Sequence, residues 1–437
     1  MGDNLDLAIN VLAAVFVVLA ATTVCGRLAR RLGQPGVVGE MVAGILLGPS
    51  LLGSVAPGLQ HHLFPADVKS VLYVLSTIGL TFYMFLVGAA LDHSFITRRS
   101  VQRAAVLATA GIVPTFLLAI GAAALFYSRL ALPTTDRWVF MLFVGGALSI
   151  TAFPMLARIL EERGIANTPT GSLTLVAAAI DDAVAWILLA VVIAVGSAGH
   201  LASALPTVIG AVLFATLMLT IGRRLLRRLA TRVERDGGLR HDTMAIVLLL
   251  VLAAGWLTDS IGVFSVFGGF VTGLAMPQSP LLREELRVKL MDLNAILLLP
   301  VFFAFSGLNT QLSGLGNGRY VLPMVVIVLV ATVGKYVGCA MTVRGQGMSW
   351  RHASAIGGLM NARGLMILVF INVGLGYHLV APQLFSILVV VAVVTTAAAM
   401  PIYRRSLPAR FEDVERAHAE AQLQVARTPA GTPAAVQ

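Results

Sequence analysis

The sequence predicts an all-α polytopic membrane protein with about thirteen spanning helices. Three observations predict it. Of 437 residues, 58% are hydrophobic and only 12% are charged, where soluble domains carry about 25% charge. The mean hydropathy is +0.88. Apolar runs of about twenty residues, enough to cross a hydrocarbon core, recur along the chain, and the short alternating segments of a transmembrane barrel do not occur.

The runs follow one another in order. The first, near 7–26, precedes Arg27, Arg30 and Arg31, so it reads as a span with its N-terminus outside. A signal peptide carries its basic residues first. Further runs lie near 36–52, 70–91, 104–128, 138–160, 170–196, 205–226, 242–258, 261–276, 290–308, 320–343, 352–376 and 382–403. The second and ninth are short and rich in glycine. After Arg405, Phe411–Val425 is expected to form a charged surface helix, and Ala426–Gln437 reads as disordered from its Pro, Ala and Thr content.

Loop charge orders these spans. With the N-terminus outside, the inner loops hold Arg98, Arg99, Arg103, Arg158, Arg163, the dense cluster from Arg223 to Arg240, Arg283, Arg287, Lys289, Arg344, Arg351, Arg404, Arg405 and Arg410. The outer loops hold Lys69, Arg129, Arg137 and Arg319. That asymmetry follows the positive-inside rule and puts the C-terminus in the cytoplasm. It also accounts for the formal charge of +10 without nucleic acid as a partner. Cys25 and Cys339 offer no disulfide framework or metal spacing; both are expected to be small buried residues.

Four polar features interrupt the spans. Asp181 and Asp182 stand side by side in span six, where each carboxylate costs roughly 2.5–3.5 kcal/mol on an insertion scale. Neighbours on a helix point about 100° apart, so one can face an ion while the other faces a neighbouring helix. The pair is expected to titrate as one coupled unit, and a carboxylate that takes either a proton or a hard cation is what exchange chemistry needs. Lys335 lies inside span eleven, and an intramembrane lysine seeks an intramembrane carboxylate, here Asp181 or Asp182. The alternative is that it snorkels to the surface.

Span five contains Ser149-Ile-Thr-Ala-Phe-Pro154. Pro154 removes a backbone donor, and Ser149 and Thr151 add hydroxyl oxygens beside carbonyls freed to bind a cation, unless the site is an ordinary proline kink. Span twelve contains Asn361-Ala-Arg-Gly364, where Arg363 needs a partner or a cavity unless it caps a misplaced span. Glu40 reads as an interfacial or structural acid, and the histidines as solvated surface groups. Gly39-Glu-Met-Val-Ala-Gly44 is similar to Gly268-Gly-Phe-Val-Thr-Gly273, seven spans later and therefore of opposite direction, a hint of the inverted repeats of secondary transporters.

Taken in order, Gly33–Ser50, Phe85-Leu-Val-Gly88, Ser149–Leu160, Ile180-Asp-Asp-Ala183, Pro300-Val-Phe-Phe303, Gly307-Leu308 and Arg363-Gly-Leu365 resemble the monovalent cation:proton antiporter-2 superfamily. The nearest branch holds plant cation/proton exchangers and their bacterial relatives. The resemblance implies two inverted six-helix repeats, with discontinuous helices five and twelve crossing near mid-membrane. It implies a membrane domain over residues 1–405 with a short tail over 406–437. Dimer-forming scaffold helices would occupy about 7–91 and 242–308, a transport core about 104–196 and 320–403, and a linker helix about 205–226, with the core moving like an elevator. By the same resemblance Asp182 is the main carboxylate for the monovalent cation and the proton, Asp181 pairs with Lys335, and Thr151 with nearby carbonyls completes the ion shell. Asp-Asp with a membrane lysine resembles the electrogenic members.

The expected function is therefore proton-coupled exchange of Na⁺ or K⁺ in a bacterial inner membrane by alternating access, with the buried Asp pair as the site shared between cation and proton and with no cofactor. Two other readings carry membrane acids. An intramembrane aspartyl protease needs its two aspartates facing each other across two helices, which neighbours on one helix do not achieve. A sodium-coupled organic-solute symporter or a cation channel fits unwound helices, but a lysine beside the carboxylate pair favours proton coupling.

Overall fold

A computed structural model of the chain describes residues 2–90, 98–166, 168–198, 204–312, 315, 318–408, 413 and 417. Every regular element among the described residues is helical, because a bilayer leaves backbone groups no water to bond and a helix satisfies them within itself. The expected tail helix and disordered end, like Arg410, His93 and His200, lie outside the described residues apart from positions 413 and 417.

The chain opens with α1 (Gly2–Arg31), which ends on Arg30 and Arg31, where cations suit the negative end of the helix dipole. Gly33 turns the backbone at φ +71°, a left-handed conformation that glycine adopts without penalty. Then come α2 (Gly36–Leu47), the short α3 (Leu52–Val55) and α4 (Pro57–Leu63), α5 (Ala66–Ala90) and α6 (Arg98–Leu130). Asp136 accepts the Trp138 N–H at 2.8 Å and caps α7 (Arg137–Ser149), which is followed by α8 (Phe153–Glu162) and α9 (Pro169–Ala198). Next, α10 (Ala204–Leu217) runs through a π-helical turn, Met218–Gly222, into α11 (Arg223–Asp236). The second half holds α12 (His241–Ser260), α13 (Ser265–Ala275), α14 (Pro280–Leu286) leading through two π-helical turns into α15 (Leu299–Leu308), then α16 (Gly318–Gly345), α17 (Trp350–Leu359), α18 (Gly364–Gly376) and α19 (Pro382–Ser406).

Among the described residues ten helical segments are long and apolar enough to span a bilayer. The other three expected segments differ from single spanning helices. Span five divides into α7 and α8, span twelve divides into α17 and α18, and span nine is the eleven-residue α13. The two divisions fall at the polar interruptions.

Close contacts repeat in the two similar glycine motifs. A Cβ at Gly39 would stand 2.2 Å from the Cys25 carbonyl oxygen of α1, and one at Gly268 would stand 2.5 Å from the Ala254 oxygen of α12. Five residues on, a Cβ at Gly44 would stand 2.7 Å from Ala304 Cα of α15, and one at Gly273 would stand 2.1 Å from the Phe85 oxygen of α5. In each motif the first glycine admits the preceding helix and the second admits a helix from the other half of the chain. Membrane helices use small residues in this way to bring backbones together.

Gly273→Ala is expected to cost about 1–3 kcal/mol, because its methyl group meets backbone that cannot swing aside. Gly58→Ala, with nothing within 4 Å of the added atom, is expected to leave stability within about 0.5 kcal/mol. Unfolding of both variants in detergent micelles checks the contrast.

Candidate functional site

Two broken helices meet at the centre of the molecule. Helix α7 stops at Ser149, where Ile150 adopts extended backbone. Pro154 then sits in the first turn of α8, where its missing N–H costs nothing. The break expected at Pro154 and the turn before it lies at 150–152, with Pro154 in the first turn of the second half. Helix α17 stops at Leu359, and Gly364 begins α18 after a break at 360–363. The breaks bond to each other: the Ala152 N–H donates to the Ala362 oxygen at 2.9 Å, and the Thr151 hydroxyl donates to the Met360 oxygen at 2.8 Å. Backbone groups that a helix would have satisfied thus satisfy one another.

Against this junction lies the middle of α9. Asp181, Asp182, Ser149, Thr151, Lys335, Asn361 and Arg363 are all fully buried. Lys335 of α16 donates to Asp181 Oδ2 at 2.5 Å and to the Ser149 carbonyl at 2.6 Å. The same carboxylate oxygen accepts the Thr151 N–H at 3.3 Å. Lys335 therefore does not snorkel. Its stem runs over Gly111 of α6, where a Cβ would come within 3.2 Å of Lys335 Cε. The ammonium rests at the C-terminal end of α7, the favourable end for a cation.

Asp182 points elsewhere, as the 100° step between neighbours requires. Its Oδ1 accepts the Phe153 N–H at 3.3 Å, the first amide of α8, where the dipole favours negative charge. Its Oδ2 has no hydrogen-bond partner among the described residues, and the same holds for Asp181 Oδ1 and Asn361 Oδ1. Buried oxygens without donors are costly unless something else meets them. A proton or a hard cation, which prefers oxygen ligands, meets that need. No group of three or more His, Cys, Asp or Glu fit to hold a metal occurs among the described residues.

The remaining expected residues take distinct positions. The Ser149 hydroxyl donates to the Gly146 oxygen at 3.1 Å, so its link to the centre is its carbonyl. Asn361 donates to the Gly357 oxygen at 3.2 Å within its own helix end. Arg363 lies in the break and donates to the Ala331 oxygen of α16, with Nε and Nη1 lacking partners among the described residues. Glu40 pairs with Arg158 of α8 at 3.1 Å, a structural contact between α2 and the second half of span five. Three participants carry no sequence signal: the Phe153 amide, the Gly111 notch and Thr396 of α19, whose hydroxyl accepts the Gly364 N–H at 3.0 Å.

Removing one member of the buried ion pair leaves the other uncompensated. Lys335→Met is expected to cost about 3–5 kcal/mol, and adding Asp181→Asn is expected to recover most of that loss. Unfolding of the two single variants and the double variant in detergent tests this coupling.

Comparison with known proteins adds three findings. A family model described as sodium/hydrogen exchanger, transmembrane, matches residues 16–402. The chain is 38% identical over 401 residues to a Na(+)/H(+) antiporter, NhaS4, of Synechocystis, covering 91% of this chain and 97% of that protein. It is 33% identical over 430 residues to Cation/H(+) antiporter 19 of Arabidopsis thaliana, covering 96% of this chain but only 53% of the plant protein. Among solved structures, the sodium proton antiporter MjNhaP1 of Methanocaldococcus jannaschii has the same fold, with a TM-score of 0.65 at 15% identity over 94% of this chain and 99% of that one.

Proposed function

We propose, from the premise that this chain belongs to the sodium/hydrogen exchanger family, that it exchanges protons for Na⁺ or K⁺ across a bacterial inner membrane. The family consists of transporters, so the protease reading falls away. The observation that carries the proposal is a fully buried carboxylate, Asp182, with one oxygen held by a helix-end amide and the other without a donor among the described residues. Proton and cation compete for that oxygen.

Asp181 serves a different purpose. Held by Lys335 and the Thr151 amide, it fixes the ammonium beside the site and anchors α9 to the break. Thr151 and Ser149 supply oxygen atoms and backbone carbonyls at the same junction, and Asn361 offers a further oxygen from the opposite break. Lys335 compensates Asp181, whereas an empty, ionised Asp182 has one amide and no ion pair among the described residues, so a proton or cation on Asp182 supplies its missing compensation. Moving an empty charged site through a low-dielectric barrier costs several kcal/mol, which makes exchange obligatory.

The finer architecture follows the same reading. Two inverted six-helix repeats are supported by the paired contacts of Gly39 with Gly268 and of Gly44 with Gly273. The domain over 1–405 then divides into a dimer-forming scaffold (about 7–91 and 242–308), a linker (about 205–226) and a moving core (about 104–196 and 320–403), followed by the tail at 406–437. The N-terminus lies outside and the C-terminus in the cytoplasm, as the loop arginines require.

In liposomes holding the purified protein, added Na⁺ or K⁺ is expected to drive protons out of the loaded lumen, and Asp182→Asn is expected to reduce that flux to the rate of protein-free liposomes. Absence of proton flux with both Na⁺ and K⁺ over a range of pH contradicts the proposal. Competition also sets a pH dependence. Where the protonated site predominates, the apparent KM for the cation is expected to rise about tenfold for each unit fall in pH, while the maximal rate changes less. Initial rates over a grid of pH and cation concentration measure it.

A further inference from the structure

Away from the buried carboxylates, a cavity of about 640 Å³ opens between the continuous α10–α11 rod and α12. Its wall includes Leu213, Leu217, Ile221, Leu225 and Leu229 of the rod and Leu250 of α12. Thr272 is the one polar side chain in that wall, and its hydroxyl is already committed to the Gly268 oxygen at 2.7 Å. Gly210 and Gly222 leave the wall bare at two points, and the π-helical turn Met218–Gly222 widens the rod beside it, a distortion that helices often reserve for binding. The lining positions run from 210 to 229, roughly 28 Å of helix at 1.5 Å per residue. That exceeds one leaflet's share of a hydrocarbon core about 30 Å thick.

One end of this groove meets a dense positive charge. Arg224, Arg227, Arg228 and Arg232 of α11 are exposed and Arg223 is half-buried, and none of the five makes a side-chain ion pair among the described residues. Arg235 and Arg240 are different, since both lie against Asp236. The acids on neighbouring elements are engaged as well. Glu234 accepts the Ser279 hydroxyl at 2.8 Å, Glu284 holds Arg287 and Glu285 holds Lys289. Membrane orientation accounts for arginines at a span end. It does not account for an apolar trough that continues directly from them along the same helix.

We propose that this groove binds an anionic phospholipid from the leaflet on the arginine side. One acyl chain lies along the wall formed by Leu213, Leu217 and Ile221, and the phosphate is held by the first two turns of α11. Arginine binds phosphate through charge-assisted, two-pronged hydrogen bonds, and each basic residue at such a surface adds to the preference for anionic lipid. The proposal is independent of the exchange reaction, because none of these residues touches the carboxylate site.

The test titrates the full-length protein in neutral detergent with phosphatidylglycerol or with phosphatidylcholine of the same acyl chains, read by native mass spectrometry. Phosphatidylglycerol is expected to bind at least about tenfold more tightly. The variant R223Q/R224Q/R227Q/R228Q is expected to reduce that preference below about twofold, and Leu217→Trp, which fills the trough, is expected to weaken both lipids. Should the arginine variant fail to fold, wild-type protein in about 0.5 M salt is expected to lose most of the preference by screening. Equal binding of the two lipids, or a preference that survives the salt, overturns the proposal. Efficient disulfide formation between two copies carrying Leu217→Cys also overturns it, since the groove is then a subunit contact. Displacement of phosphatidylglycerol by an equal concentration of glycerol phosphate overturns it too, because the trough then contributes nothing.

Discussion

The structure turns on the buried contact of Lys335 with Asp181 and the Ser149 carbonyl. A lysine and a carboxylate deep in a membrane protein each demand compensation, and each finds it in the other and in backbone groups released by a broken helix. The break is therefore not a defect beside the site. It supplies the carbonyl that receives the ammonium, the Thr151 amide that receives Asp181 and the Phe153 amide that receives Asp182. A continuous helix over 138–160 would consume all three internally. Polar side chains and interrupted backbone each make the other tolerable in an apolar setting.

That arrangement divides labour between neighbouring residues. Asp181 is held on one oxygen by a fixed cation and an amide, so in the proposed cycle it stays in place, although its other oxygen, like one of Asp182, has no donor among the described residues. Asp182, one residue on and about a third of a turn away, sees one amide and keeps an oxygen open to a mobile partner. The glycine seams hold α2 and α13 in direct backbone contact with helices from both halves of the chain. In the proposed cycle those seams form the rigid part, while the region around the two breaks moves. The Glu40–Arg158 pair bridges the two, so motion of α8 relative to α2 must break or remake it.

Much of this was legible in the sequence because membrane helices obey simple length and composition limits. Run length located the long helices, and the cost of burying Asp181, Asp182, Lys335 and Arg363 marked them as one polar region before any geometry was known. What was not legible depends on partners distant in sequence. Nothing near Gly111 announces that it makes room for the Lys335 stem, and nothing near Thr396 announces that it caps α18. Ser149 was expected to act through its hydroxyl but meets Lys335 through its carbonyl, because a hydroxyl at a helix end finds the carbonyl three residues back. The thirteen expected runs include three that are broken or short, since hydropathy registers apolar content and is blind to a three-residue interruption. The π-helical turns at Met218–Gly222 and before α15 likewise leave no trace in apolar periodicity.

The central claim is that one carboxylate, Asp182, takes a proton or a cation but never both. The most direct measurement counts protons released when Na⁺ or K⁺ is added to purified protein in weakly buffered detergent solution, at a pH where the site is protonated. Release of about one proton per chain, saturating with the cation and absent in Asp182→Asn, is the predicted result by linkage. Saturable cation binding without proton release, or release that persists in Asp182→Asn, would contradict it.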